Sequence, residues 1–395
     1  MISTQDSKRF RVSKPSMMIS TQDRLSNLPD SILSHILSFL PTKLAARTSI
    51  LSKIWKSIWL SLTTLDFTIG ITPNHVIHSI ILSRDIKLPI LSFRLTCDKP
   101  EDEDLDSVIK IAIQRRVETL ELNMLSYPLE MKFFSNFFTS NTLTVLKLTH
   151  IYIVKDLPGI SVSSSIKTIY LDDVIFCRTS YVINFFSAFP NLEVLQTKCV
   201  GVYDWSNLPA PGAMMECLPN LVRADINDHV LIPLLPFSRA LILNLGKVWS
   251  HPFVQVPNFY NLTQMELFID LDQLGKWILK LLQHTPKLDH LIIHHQEIEN
   301  QKEIYAMNRE RIKKMNNQVD PKMVPECLSS RLKTCLFPSW RGKNYELQFA
   351  EYIMRNSKVL STMTIQCSSS LDLNAKYQIL QKLSLYPKGC KLIFD

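Results

Sequence analysis

Glycine is scarce: eight occur in 395 residues, and none stands in a GxGxxG or GxxxxGK arrangement. Loops that cradle phosphate need glycine so that backbone N–H groups can converge on the anion. Nucleotide binding is therefore not expected. There is no GxSxG elbow for a serine nucleophile. No apolar run approaches the roughly 18 residues of a membrane helix. The nearest, 230–236, is short and broken by prolines. The opening stretch, MISTQDSKRFRVSKPS, lacks the apolar centre of a secretory signal. Eight cysteines, at 97, 177, 199, 217, 327, 335, 367 and 390, form no CxxC pair. They are expected to be reduced and mostly small core residues. These absences point to a cytoplasmic or nuclear protein with no cofactor, no membrane partner and no disulfide framework.

A clustered positive field is also missing. Lys plus Arg number 44 against 36 Asp plus Glu, a net charge of +8, but the bases are dispersed. Only Lys8, Arg9, Arg11 and Lys14 gather, and no basic stripe is interleaved with aromatics. Nucleic acid is not an expected partner. Apolar residues make up 46% of the chain, ample for a core.

The densest stretch is DRLSNLPDSILSHILSFLPTKLAARTSILSKIWKSIWLSLTTL, residues 23–65. Pro29 suits the first turn of a helix, Asn27 is placed to cap it, and Asp30 complements its dipole. Ile32, Leu33, Ile36, Leu37 and Leu40 recur at helical spacing, and Pro41 ends the run. Thr42 is placed to cap a second helix over 44–51, and a third carries Trp55, Ile58 and Trp59. Three short helices hold more apolar side chains than they can bury among themselves, which predicts a partner surface. These residues resemble the plant F-box, written LPDxxLxxILSFLPTKxAxxTSxLSKxW, with one departure: Ile54 stands where the family usually has arginine. The resemblance implies docking to a Skp-type adaptor and, through it, a cullin-RING ubiquitin ligase. By position it assigns adaptor contact to Leu28, Pro29, Ile32, Leu33, Ile36, Leu40 and Trp55.

Beyond the box a pattern of Leu-x-x-Leu-x-Leu type repeats. It runs through Leu62/Leu65/Phe67, Ile90/Phe93/Leu95, Val117/Leu120/Leu122, Leu143/Leu146/Leu148, Ile166/Ile169/Leu171 and Leu192/Leu195. Weaker copies stand at Leu221/Ile226, Leu243/Leu245, Leu262/Met265/Leu267 and Leu288/Leu291/Ile293. The middle positions Leu120, Leu146, Ile169 and Leu195 are 26, 23 and 26 residues apart. That period with that pattern predicts a leucine-rich-repeat solenoid, one parallel strand per repeat. In four copies the apolar series continues past the strand, at Leu125/Tyr127, Ile151/Ile153, Val174/Phe176 and Val200/Val202, where the usual Asn or Cys is missing. The repeats are thus irregular. Helical or apolar segments are expected over 105–116, 133–139, 181–189 and 271–283, and a longer excursion or a distorted repeat over the proline-rich 201–260.

After a charged stretch at 297–323, VPECLSSRLKTCLFPSWRGKNYELQFAEYIMRNSKVLSTMTIQ and KYQILQKLSLYPKGCKLIFD resemble the FBD domain of plant F-box proteins. Strands are predicted at 332–337, 359–366 and 391–394, and helices at 345–356 and 375–385. The fold class expected is α/β: an N-terminal three-helix F-box, then an irregular leucine-rich-repeat solenoid with a parallel sheet and helices outside, ending in an FBD domain. The divisions are 1–22 as a flexible extension, 23–65, 66–296, 297–323 as a charged linker, and 324–395. The chain resembles the F-box/FBD/leucine-rich-repeat family of plants.

His284, His290, His294 and His295 are the one cluster with metal-ligating potential. No cysteine or paired carboxylate completes a set of four, so polar residues on an open strand face are the expected account and no metal site is assigned. Nothing beside any cysteine resembles a base, and no catalytic residue is assigned. In each repeat the residue between the last two apolar positions should face the open side. That selects Glu121, Lys147, Tyr170, Gln196, Glu266 and Ile292, with Phe268 in the next outward column, as the surface for a protein target. Asn123, Thr149, Lys198 and His294 join that second column, with Asp172 or Asp173 according to register. The function expected is a non-catalytic substrate-recognition subunit of a Skp–cullin–F-box ligase. The alternative is a non-ligase repeat scaffold with a vestigial box.

Overall fold

The computed structural model describes residues 25, 27–68, 72–97, 103–125, 137, 140–153, 165–204, 218–227, 234–246, 256–269, 271–295, 323–369, 371–386 and 389–395. The chain divides into two compact units, one up to Leu62 and one from Thr63 onward.

The first unit contains α1 (Asp30–Ser38), α2 (Thr42–Arg47) and α3 (Lys53–Ser61), with a 3-10 turn at Thr48–Ile50 between the last two. Prolines set both early starts. Pro29 and Pro41 sit just outside α1 and α2 in extended conformation, and neither helix start has a side-chain cap. Asn27 therefore does not cap α1, and Thr42 is the first residue of α2 rather than its cap. Ser52 does cap α3, accepting the Trp55 N–H at 3.4 Å. Leu33, Leu37, Ala45, Trp55, Ile58 and Trp59 are the buried apolar residues of these helices.

Among the described residues of the second unit, 14 strands form one sheet in the order β1-β2-β3-β4-β5-β6-β8-β9-β10-β11-β12-β13-β14, with β7 pairing β5. The strands are β1 (Thr64–Phe67), β2 (Ser92–Cys97), β3 (Thr119–Met124), β4 (Val145–Ile153), β5 (Thr168–Arg178), β6 (Val194–Lys198) and β7 (Gly201–Asp204). They continue as β8 (Arg223–Asn227), β9 (Ile242–Gly246), β10 (Gln264–Ile269), β11 (His290–His295), β12 (Thr334–Trp340), β13 (Thr362–Cys367) and β14 (Lys391–Phe394). Every pairing is parallel. Parallel neighbours need a crossover, and the repeat period supplies one. The crossovers carry α4 (Asn74–Leu82), α5 (Glu103–Gln114), α6 (Thr179–Ser187), α7 (Leu271–Gln283), α8 (Glu326–Ser330), α9 (Asn344–Asn356) and α10 (Leu373–Leu383).

The repeat leucines form the core in two columns. One begins Leu65, Phe93, Leu120, Leu146, Ile169, Leu195 and the other Phe67, Leu95, Leu122, Leu148, Leu171, each residue opposite the next. All of them are buried. At about 25 cal/mol per Å² of apolar surface removed from water, these columns supply most of the drive for stacking. Phe185 of α6 meets Phe176 of β5 edge-on at 5.5 Å, so this helix packs on the leucine face. Arg115, just past α5, closes the turn after α4: its guanidinium donates to the carbonyls of Arg84, Asp85 and Leu88.

Leu148 and Ile151 are both buried although three residues apart, where alternation would put them on opposite faces. One extra residue must turn out of the pleat. His150 does so at φ 55°, and Asp173 and Cys199 repeat the turn at 55° and 56° in β5 and after β6. The apolar series past the strand thus survives as a stack of left-handed residues. The Leu125 position breaks it, since Leu125 is exposed. Tyr127, the segment at 133–139 apart from Phe137, the first extension and the charged stretch 297–322 lie outside the described residues.

Within 201–260 the stretches 205–217, 228–233 and 247–255 lie outside the described residues, and the described parts form a distorted repeat. β8 and β9 take their places in register, with Ala224 standing where a leucine is usual. The helices α4 and α8 lie outside the segments for which the sequence predicts helix. The order passes from β11 to β12 without interruption, and Gly342, at φ 76°, makes the turn between β12 and α9.

Candidate functional site

Two surfaces stand out, one on each unit. In the first unit the apolar stripe of α1 is wider than its core. Leu33 is fully buried, while Ile32 and Ile36, on the next helical row, are 46% and 39% exposed. Phe39, at the end of α1, is 74% exposed and meets His35 edge-on at 4.8 Å. Pro29 is exposed, and Leu28 and Leu40 are half-buried. Leu33 and Trp55 (6% exposed) build the interior, so they leave the set of surface residues assigned by position. Leu44, Ile50, Leu51 and Ile54 add to the exposed apolar area. Ile54, in place of the usual arginine, thus puts a further apolar side chain on the surface.

In the second unit, the residues between paired leucines line up across the open face. The row reads Asp66, Arg94, Glu121, Lys147, Tyr170, Gln196, Asp225, Asn244, Glu266 and Ile292, each opposite the next. The spacing placed six of these correctly. Asp66, Arg94 and Asn244 are unassigned there although each stands between two apolar residues of a named copy, Leu65/Phe67, Phe93/Leu95 and Leu243/Leu245. Asp225 is hidden by alanine at 224, and Leu221-x-x-Ala224-x-Ile226 is the signal that marks it. Register also settles the second column: Asp172, not Asp173, stands between Thr149 and Lys198.

The row is charge-matched along its length. Arg94 lies 3.5 Å from Asp66 and 3.8 Å from Glu121, and Lys147 lies 3.7 Å from Glu121. The Lys147 ammonium stands 5.2 Å from the Tyr170 ring centre, a cation–π distance. Asp225 is the deepest acid. Its carboxylate accepts Gln196 Nε2 at 2.9 Å, Asn244 Nδ2 at 2.6 Å and Arg223 Nε at 2.8 Å. Lys198 donates to Asp172 at 3.0 Å, and that hydrogen bond raises the ammonium pKa. Farther along, His294 lies 2.7 Å from Glu266 and stacks on Phe268, with ring centres 4.0 Å apart and planes 5° from parallel.

Glu121, Lys147, Tyr170, Gln196, Glu266 and Phe268 line one groove of about 560 Å³, floored by Asp225 and Asn244. Ile292 lies on the row but outside the groove lining. The groove offers two aromatic faces set among paired charges and amides, a surface suited to a peptide's mixed side chains.

The four histidines serve different partners: His284 meets Asn258, His290 meets Thr334, His294 meets Glu266 and His295 meets Tyr345. Burial pushes the Cys327 thiol up to about 11 and raises Cys335, Cys367 and Cys390 as well, away from the reactive thiolate. Cys199, by contrast with the core expectation, is exposed. No helix among the described residues is long and apolar enough to cross a membrane.

Two family models match the chain: the F-box domain over residues 25–66 and the FBD over 320–365. Along most of its length the chain is similar to plant proteins that carry both. An F-box/FBD/LRR-repeat protein of Arabidopsis thaliana is 28% identical over 98% of this chain and 95% of its own. A second of the same description is 28% identical over 91% and 88%. An FBD-associated F-box protein of the same plant is 26% identical over 87% and 93%.

Proposed function

We propose, for a chain that carries an F-box domain and an FBD and shares most of its length with F-box/FBD/LRR-repeat proteins, that it is the substrate-recognition subunit of a Skp–cullin–F-box ubiquitin ligase. The observation that carries this reading is the exposed apolar row Ile32, Ile36 and Phe39 above a buried Leu33 and Leu37. An exposed apolar row above a satisfied core is the mark of a partner surface. Leu28, Pro29 and Leu40 flank the row and complete the proposed adaptor contact.

The groove on the open sheet face is the proposed target site. Tyr170 and Phe268 are its anchors, since aromatic side chains give large contact area at little entropic cost. Glu121, Lys147, Gln196, Glu266 and, beyond the groove, Ile292 set the register of the bound segment. The chain itself supplies proximity between target and ligase, and the thioester chemistry belongs to its partners. As working boundaries, residues 23–65 form the adaptor module, 66–296 the repeats and 324–395 the FBD.

The test is reconstitution. Full-length chain, a Skp-type adaptor and a cullin are expected to elute as one complex, and the variant Ile32→Asp/Ile36→Asp is expected to elute alone. A folded wild-type chain that leaves the adaptor unbound overturns the reading. Adaptor binding without cullin recruitment turns it into that of a scaffold.

A further inference from the structure

The two ends of the sheet are finished differently. On β1, at one end, Leu65 and Phe67 are buried as deeply as the inner repeats. On β14, at the other, the corresponding Leu392 and Phe394 are only half-buried, and Ile393 is 39% exposed. The residues they face on β13, Met363 and Ile365, are fully buried. Among the described residues no strand pairs the outer edge of β14. On the crossover that leads into it, α10 exposes Leu373, Tyr377 and Leu380, and Leu385 just beyond is exposed too. An open strand edge is a surface that natural proteins ordinarily cover.

The edge strand is complementary to itself. The N–H groups of Lys391 and Asp395 are spent on β13, donating to Ser361 at 2.8 Å and Ile365 at 3.0 Å. By the two-residue period of a strand, Leu392 and Phe394 turn their N–H and C=O groups outward. Pairing Lys391-Leu-Ile-Phe-Asp395 antiparallel with a second copy about Ile393 sets Leu392 opposite Phe394 and Lys391 opposite Asp395. The outward groups of Leu392 and Phe394 then meet in closely spaced hydrogen-bonded pairs. Each Lys391 faces an Asp395 carboxylate across a non-hydrogen-bonded pair, where side chains approach most closely. A two-fold axis normal to the sheet keeps both leucine faces on one side.

We propose that the edge of β14 is a homodimer interface, a second copy of the chain adding its own β14 antiparallel to make one continuous sheet. Charge selects the occupant: a parallel or shifted partner strand loses both Lys391–Asp395 pairs, and the self-pairing keeps both.

Sedimentation velocity of the full-length chain over micromolar concentrations tests it. The wild type is expected to sediment at twice the 45.6 kDa of one chain. Lys391 and Asp395 are exposed, so reversing either leaves the fold intact. Lys391→Glu alone puts Glu against Asp, and Asp395→Lys alone puts Lys against Lys, so each should weaken self-association by about tenfold. An equimolar mixture of the two variants should recover the dimer, because each cross pair is again opposite in sign. A wild type that is monomeric throughout overturns the proposal, the edge then being covered by a segment of another protein. So do single reversals without effect, or a mixture that fails to recover.

Discussion

The Asn244 side-chain amide donates to the Asp225 carboxylate at 2.6 Å, from the neighbouring strand of the parallel sheet. With Gln196 and Arg223 on the same carboxylate, a nearly buried charge is fully compensated, and three strands are tied together on the face left open by the helices. Asp225→Ala leaves three donors, one of them charged, facing an empty site, and should cost about 2–4 kcal/mol. Asp225→Asn keeps an acceptor and should cost roughly half as much. Urea unfolding of the two variants, read at equal slope, checks the order.

Glu346 in the first turn of α9 gives a pH signature. Its carboxylate accepts the N–H groups of Lys343 at 2.8 Å and Arg341 at 3.1 Å, yet it is buried, and burial raises its pKa over the opposing pull of those hydrogen bonds. A folded-state pKa above the unfolded one means that the protonated acid is favoured by folding. That contribution is complete below an unfolded value of about 4.3 and is lost as pH rises through the raised folded pKa. The stability of the wild type relative to Glu346→Gln should therefore fall with rising pH in that window. A difference that rises across it contradicts the assignment.

Adjacent positions on α1 should respond in opposite ways. Ile36→Asp lies on the exposed row and should change stability by about 0.5 kcal/mol or less. Leu33→Asp buries an unpaired charge and should unfold the helical unit outright. Circular dichroism melts separate the two outcomes.

Cys199 occupies a left-handed conformation, φ 56°, in which a side chain other than Gly, Asn or Asp is strained. Cys199→Gly should stabilise the chain by about 0.5–1 kcal/mol. His150→Gly, at φ 55°, should not: His150 bonds Asn123 at 3.0 Å and lies 3.6 Å from Asp173, contacts that glycine abolishes.

Much of this architecture is legible in the residues because a stacked repeat states its own geometry. Two leucines with one residue between them fix which side chain faces out, so Glu121, Lys147, Tyr170, Gln196 and Glu266 could be placed on one row before any coordinates. The signal vanishes where its residue is small, at Ala224, and with it goes Asp225, the best-connected acid of the groove. In the helical unit, spacing identified an apolar stripe but not its division. Which of Ile32, Leu33, Ile36 and Leu37 turns inward depends on where α3 packs, and that is a tertiary fact. The left-handed stack at His150, Asp173 and Cys199 was announced only indirectly, by apolar residues three apart instead of two.

The central claim is that the first unit presents an apolar surface to a Skp-type adaptor. Titration calorimetry of the full-length chain against that adaptor tests it most directly. Ile36 and Ile32 are exposed, so their variants keep the fold and isolate the contact. Binding by the wild type, with affinity reduced at least about a hundredfold in Ile32→Asp/Ile36→Asp, is the result predicted for a charge buried at the centre of an apolar interface. A folded wild type that gives no binding, or a variant that binds as tightly, contradicts it.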